Sequence, residues 1–168
     1  MSDIFCEAIV KKKPDSKDML KKVVAIILTV VIVIASPFIP FVGILVAAGA
    51  IAFDYYFFRR LNVEYEYALT MTDLDVAKIM SKEKRKQLLT LDLKQADVIG
   101  PVNHQRVKDA ETKEIKEIDC TSGAGANNVY AVVTKQDGKF VKLLFEPSEN
   151  MIKGIRKQLP SKTVVEGY

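Results

Sequence analysis

The sequence predicts an α+β chain: an N-terminal transmembrane helical hairpin, then a small antiparallel β-barrel or sandwich with a C-terminal helix. Three observations carry this. From Val23 to Phe58 run 36 residues with one ionisable group, Asp54, and two prolines near the middle. From Val63 to Glu146 come about seven short segments of alternating or β-branched apolar residues, parted by turn residues. After Pro147 a single amphipathic stretch closes the chain. The expected divisions are a cytoplasmic amphipathic segment at 1–20, the two-helix hairpin at 21–60 and the β domain at 61–168.

Composition narrows the function classes. Residues 59–168 carry 19 Lys/Arg and 16 Asp/Glu, a difference of +3, with the two signs interleaved. No single-sign field of the kind that attracts nucleic acid results. Cys6 and Cys120 stand far apart without a CxxC spacing, and His104 is the lone histidine. Neither a disulfide framework nor a zinc site is suggested.

At the N-terminus, "SDIFCEAIVKKK" sets Ile4, Phe5, Ala8 and Ile9 at helical spacing before three lysines, which predicts a short surface helix on the inner leaflet or against the domain. Cys6 is then a buried or membrane-facing thiol.

The apolar run is too long for one span. As a single helix its 36 residues would reach roughly 54 Å against a hydrocarbon core of about 30 Å. Halved at the prolines, each side has about 17 residues, or roughly 25 Å, short but sufficient. Pro37 and Pro40 lack donors and disfavour helix before them, and Gly43 adds freedom, so the chain reverses between Ser36 and Gly43. The expected spans are Lys21–Ser36 and Phe41–Phe58; a re-entrant hairpin stays open as an alternative. Ser36-Pro37 is a poor cleavage site, which speaks against a signal peptide.

The flanks give orientation. Lys11, Lys12, Lys13, Lys17, Lys21 and Lys22 precede the first span, Arg59 and Arg60 follow the second, and the turn is uncharged, so both ends face the cytoplasm of a two-span protein in the cell membrane. Tyr55 to Phe58 supply an aromatic belt. Asp54 lies about a turn from Arg59 and is expected to reach headgroup water or pair with Arg59 or Arg60. Gly43 with Ala47, and Ala48 with Ala52, keep the four-residue spacing that lets helices approach.

In the β domain, "NVEYEYALTM" alternates Val63, Tyr65, Tyr67 and Leu69 against Glu64, Glu66 and Ala68, a half-buried strand. "LDVAKIM" and "QLLTLDL", joined by the charged reversal "SKEKRK", extend it to a meander. A strand near Val98 and Ile99 ends at Gly100-Pro101, residues 103–114 read as a polar loop, and "KEIKEIDC" as a fifth strand. "VYAVVTK" and "KFVKLLFE" flank Asp137-Gly138, a strong hairpin mark. Ser148 is placed to cap a final helix with Met151, Ile152, Ile155 and Leu159 inward, ended by Pro160.

"NVEYEYALTMTDLDV", "KQLLTLDLKQADVI", the Asp-Gly hairpin and the terminal helix resemble the bacterial pleckstrin-homology-like domain, and with the hairpin in front the chain resembles an uncharacterised bacterial membrane-protein family. The resemblance implies a recognition scaffold beside the membrane and carries no catalytic motif. Eukaryotic relatives often hold phosphoinositides through basic residues in the first strand-to-strand loop; here that loop is taken as "MTDLD", which is acidic, so such a pocket does not carry over.

The remaining candidates weaken on inspection. His104 sits in a polar loop without a nucleophile motif, Cys120 reads as a small core residue, and "TSGAGANN" lacks the helix a phosphate loop needs. Asp73 and Asp75 have no further oxygen ligands at loop spacing. The basic cluster Lys82, Lys84, Arg85 and Lys86, together with Lys11, Lys12, Lys13, Lys21, Lys22, Arg59 and Arg60, is left as a membrane-surface contact. The expectation is a non-enzymatic membrane protein with no cofactor, metal, nucleic-acid or specific small-molecule ligand. Its partners are the lipid bilayer and a protein or a second copy. The alternative is an accessory subunit of a membrane transporter or enzyme with Asp54 as a polar intramembrane site.

Overall fold

Period-2 patterning extends further toward the N-terminus than the helical reading allows. The computed structural model describes residues 5–39, 41–111, 114–123 and 125–165. Phe5–Lys11 is a strand, β1, not an amphipathic helix. Cys6, Ala8 and Val10 turn toward the core, while Phe5, Glu7, Ile9 and Lys11 face out. Seven residues cannot sustain a helix alone, whereas each finds a partner in register across β2, from Phe5↔Thr70 to Lys11↔Glu64. Ile4, also assigned to that helix, lies outside the described residues.

The apolar hairpin is therefore inserted between the first two strands of the β domain. Helix α1 spans Ser16–Ala35, with Asp15 accepting the Ser16 amide at its N-terminus, and α2 spans Val42–Leu61. At 20 residues each they measure about 30 Å, longer than the spans expected and matched to a hydrocarbon core. Both are long and apolar enough to cross a membrane. The reversal is a 3-10 turn at Ser36–Phe38 followed by Phe41 at φ 63°; Pro40 lies outside the described residues. Gly43 is required by close approach, because a Cβ there would stand 2.0 Å from the Ser36 carbonyl oxygen. Along the facing sides Gly43, Ala47, Ala50 and Asp54 are at least partly buried against Ala25, Thr29, Ile32 and Ser36.

Among the described residues, eight strands form two four-stranded sheets. One has the order β1-β2-β3-β4, with β2 at Val63–Thr70, β3 at Asp73–Met80 and β4 at Lys84–Asp92. The meander β2-β3-β4 is present, with a register shift at Val76/Ala77. The other sheet has the order β5-β7-β8-β6, from β5 (Ala96–Pro101), β6 (Lys116–Asp119), β7 (Tyr130–Gln136) and β8 (Lys139–Phe145). Asp137 and Gly138 join β7 to β8 with φ of 50° and 79°, the left-handed geometry that a two-residue hairpin turn needs. The arrangement is an open sandwich, not a closed barrel. Nor is it purely antiparallel, since β6 pairs with β8 in parallel.

The sheets close over one core in which Tyr67, Leu69, Leu74, Ile99, Leu143 and Phe145 are fully buried. The Tyr67 ring meets Phe145 edge-on at 5.7 Å, and its hydroxyl donates to the Cys120 carbonyl at 2.5 Å. The last helix, α4 (Glu149–Gln158), inserts Met151, Ile152 and Ile155 into this core, and Ser148 Oγ accepts the Met151 amide. Residues 103–114 are not all loop. Gln105–Ala110 forms a short helix, α3, with His104 Nδ1 accepting the Arg106 amide, Gln105 bonded to Asp109, and Val107 buried. Residues 112 and 113 lie outside the described set.

Candidate functional site

The first sheet brings three separated basic segments to one end. Strand β1 finishes at Lys11, next to Glu64 near the start of β2; β2 begins at Val63 opposite Met80, near the end of β3; and Met80 stands opposite Lys84, the start of β4. Strands of one sheet that share an end share a level. Lys11 to Lys13, Arg59 and Arg60, and Lys82 to Lys84 thus ring the base of the hairpin. Arg85 and Lys86 climb away from it, Lys86 by about 7 Å relative to Lys84. The expected reversal is shorter than drawn: only Ser81–Glu83 turns, with Ser81 and Lys82 in the left-handed region, and Lys84, Arg85 and Lys86 belong to β4.

The junction with α2 is tight. One residue, Asn62, separates α2 from β2. The Ser81 amide donates to the Asn62 carbonyl at 3.0 Å, and the Ser81 hydroxyl donates to the Arg59 carbonyl. Arg59 also pairs with Glu83 and lies 5.5 Å over the Tyr55 ring. Arg85 pairs with Glu66 at 3.0 Å. Lys11, Lys13, Arg60, Lys82, Lys84 and Lys86 are exposed and without an ion pair among the described residues. A cleft of about 520 Å³ opens between Tyr56, Arg60 and Lys84.

The other flank is set by α1. Lys21 bonds Asp18 at 3.5 Å, and Lys22 is half-buried toward α2. Asp54 is half-buried on the opposite helix. It has no ion pair among the described residues; of the two expectations, headgroup water or pairing with Arg59 or Arg60, the pairing is not seen, and Arg59 turns to Glu83 and Tyr55.

The glycine-rich loop after β6 meets the chain just before α1. Lys13 donates its amide to the Ser122 carbonyl at 2.7 Å, and a cleft of about 480 Å³ lies between Lys12, Lys13 and the loop residues Thr121, Gly123, Gly125 and Ala126. It is not a phosphate cradle. Asp119 takes the Thr121 amide, Glu146 the Ser122 amide, Thr121 Oγ1 the Gly123 amide and the Gly123 carbonyl the Ala126 amide. Ala124 lies outside the described residues.

The remaining candidates have structural partners. Burial, reinforced by Asp119, pushes the Cys120 thiol up to about 11, so it is a thiol and not a thiolate at neutral pH. Burial likewise raises the Tyr67 and Tyr65 phenols. Asp75 accepts from Gln87 and Thr90 within the sheet. A cluster that the sequence does not announce is Lys142, buried on β8 and bonded to Glu111 at 2.8 Å and Glu117 at 3.0 Å. Burial alone would lower its pKa, but the two carboxylates outweigh this and raise it. The triad ties the end of α3 to β8 and β6 of the second sheet.

Sequence reasoning missed Asn62, Ser81 and Glu83, the residues that fasten the hairpin to the domain, because their partners are distant in the chain. It also misplaced the first inter-strand connection. Met71 and Thr72 join β2 to β3, with Asp73 and Asp75 already in β3, whereas the first connection, residues 12–62, is the hairpin with its basic flanks.

No curated protein and no solved structure matches the chain. A family model described as the bacterial PH-like domain (DUF6106) matches residues 2–165, so hairpin and sandwich together belong to one family unit. The chain is a member of this uncharacterised bacterial PH-like family.

Proposed function

We propose that the chain is a non-enzymatic, two-span protein of the cell membrane, both ends cytoplasmic, whose PH-like domain lies against the inner leaflet as a recognition scaffold. One observation carries the reading: Lys11, Lys13, Arg60, Lys82 and Lys84 share the level at which the hairpin leaves the domain. Each basic side chain near an anionic surface contributes about 1 kcal/mol, so four or five would hold the domain down, and salt would weaken the contact. The basic flanks and uncharged turn support the orientation.

The test uses the full chain in nanodiscs, because β1 precedes the hairpin and a fragment starting at residue 61 lacks it. Lysine methylation at Lys11, Lys82 and Lys84 should slow in nanodiscs containing phosphatidylglycerol relative to pure phosphatidylcholine, and the difference should vanish in high salt. Equal reactivity in both bilayers excludes the collar. A reporter that works only in the periplasm, fused after Tyr168, should stay silent.

A second reading has its own support. Asp54 is a half-buried acid between two apolar helices, without an ion pair among the described residues, and intramembrane acids mark functional sites by default. An accessory role in a transporter or enzyme would make Asp54→Asn inactivating for the partner complex. A structural role would leave expression and fold intact.

A further inference from the structure

We propose that the outer edge of β1 is a docking strand for an extended segment of a partner protein. Four sheet edges exist in the two sheets, and three are guarded. The β5 edge is taken by the chain itself: the Ile99 amide donates to Lys162 and the Ile99 carbonyl accepts from Val164. The β4 edge carries Lys84, Arg85 and Lys86, and the β3–β4 ladder is broken by a register shift. The β6 edge is four residues long, with charged Lys116, Glu117 and Asp119. Charge, brevity, irregularity and cover are the devices by which proteins stop strand addition.

Strand β1 is guarded least: it is neither short, irregular nor covered over Phe5–Lys11, and its two outward charges, Glu7 and Lys11, alternate with apolar residues. It is seven residues long, and Phe5 and Ile9 are 63% and 62% exposed. Its ladder polarity is fixed by the Lys12 amide donating to the Val63 carbonyl at 2.9 Å. Even-numbered residues therefore bond to β2, and the backbone groups of Phe5, Glu7, Ile9 and Lys11 point to the open side. Among the described residues no backbone hydrogen bond reaches these four residues from that side; the next outward amide, Lys13, beyond the strand, is taken by Ser122. The strand's outward donors and acceptors recognise an extended backbone, and its side chains set the sequence preference. An antiparallel strand would place apolar residues opposite Phe5 and Ile9, a basic one opposite Glu7 and an acidic one opposite Lys11.

The occupant is a strand from a different protein, not a second copy. Antiparallel pairing of β1 with its own copy would put the two hairpins at opposite ends of the joined sheet, which two chains in one bilayer cannot satisfy. The proposal rests on reading the domain as a scaffold and does not depend on lipid contact by the collar.

The experiment uses the full chain in phosphatidylcholine nanodiscs, where the collar has no anionic surface, and a labelled peptide alternating Thr with Glu, Val, Lys and Val. Saturable binding with a Kd below about 100 µM is expected, with slowed amide exchange at Glu7, Ile9 and Lys11 but not at Ala8 and Val10. Ile9→Pro removes one outward N–H while sparing the β1–β2 bonds and should weaken binding at least tenfold. Ile9→Thr, which keeps that N–H, should weaken it only two- to threefold. No saturable binding to the wild type, or equal binding by Ile9→Pro, overturns the proposal. So does peptide protection that falls elsewhere than the odd-numbered amides, which decides the matter if Ile9→Pro fails to fold.

Discussion

Two antiparallel strand pairs in this molecule are connected in opposite ways. Strands β7 and β8 are joined by Asp137 and Gly138 alone, while β1 and β2 are joined by residues 12–62, including two 20-residue helices. Both ladders run unbroken in register. A short turn sets register by its own geometry. A long connection can leave register to the side chains, provided it returns to its starting point, and an antiparallel helical hairpin does so. Loop-closure entropy also grows only slowly with length.

Removing β1 is the harshest way to break the comparison. Deleting residues 5–11 strips Cys6, Ala8 and Val10 from the core and frees one side of β2. We expect the loss of on the order of 5 kcal/mol, seen as loss of cooperative thermal unfolding by circular dichroism. The converse sharpens it: replacing residues 13–62 with Asn-Gly, which leaves Lys12 opposite Val63 as in the native ladder, should yield a soluble domain with the same β-sheet spectrum, and an unfolded product would show that the hairpin supplies register after all.

The two turns depend on glycine for different reasons. Gly43→Ala forces a Cβ toward the Ser36 carbonyl and should cost about 1–3 kcal/mol by overpacking, read as weaker resistance of the full chain to SDS unfolding. Gly138→Ala places a Cβ where φ is 79° and nothing is close, so only backbone strain is felt, about 1 kcal/mol. Equal effects would contradict the distinction. Within the core, Tyr67→Phe removes a buried hydrogen bond to Cys120 and should cost about 1–2 kcal/mol in urea unfolding.

The smallest expected effect is chemical. Cys120 is pushed up to about 11, and the phenols of Tyr65 and Tyr67 are raised as well. Groups held above their unfolded values contribute stability that is complete below those values and lost as pH rises through the folded ones. The domain should therefore weaken from about pH 9 upward. At pH 8, half-buried Cys6 should react with a maleimide before buried Cys120.

Much of this was legible in the chain. The hairpin followed from length arithmetic, β2 from period-2 alternation, β3 from its β-branched and apolar residues, the β7–β8 turn from Asp-Gly and α4 from Ser148 and its apolar stripe. The features that failed are those whose evidence is distant. Over so few residues Phe5, Ala8 and Ile9 fit a helical template while Cys6, Ala8 and Val10 fit an alternating one, and only β2, more than 50 positions away, decides between them. The parallel pairing of β6 and the Arg59–Glu83 link are likewise long-range. The collar was legible residue by residue, but its assembly was not, because alignment of strand ends is a property of the sheet.

The insertion of the hairpin between β1 and β2 also fixes an order in time. A ribosome finishing β1 must make residues 12–62 before β2 begins, a delay of about 3–10 s at 5–20 residues per second. Both apolar helices are made within that interval, ahead of β2, the strand with which β1 pairs. On the proposed two-span reading, delivery to the bilayer would precede completion of the sandwich, and the domain would be assembled in place rather than folded first and tethered afterwards.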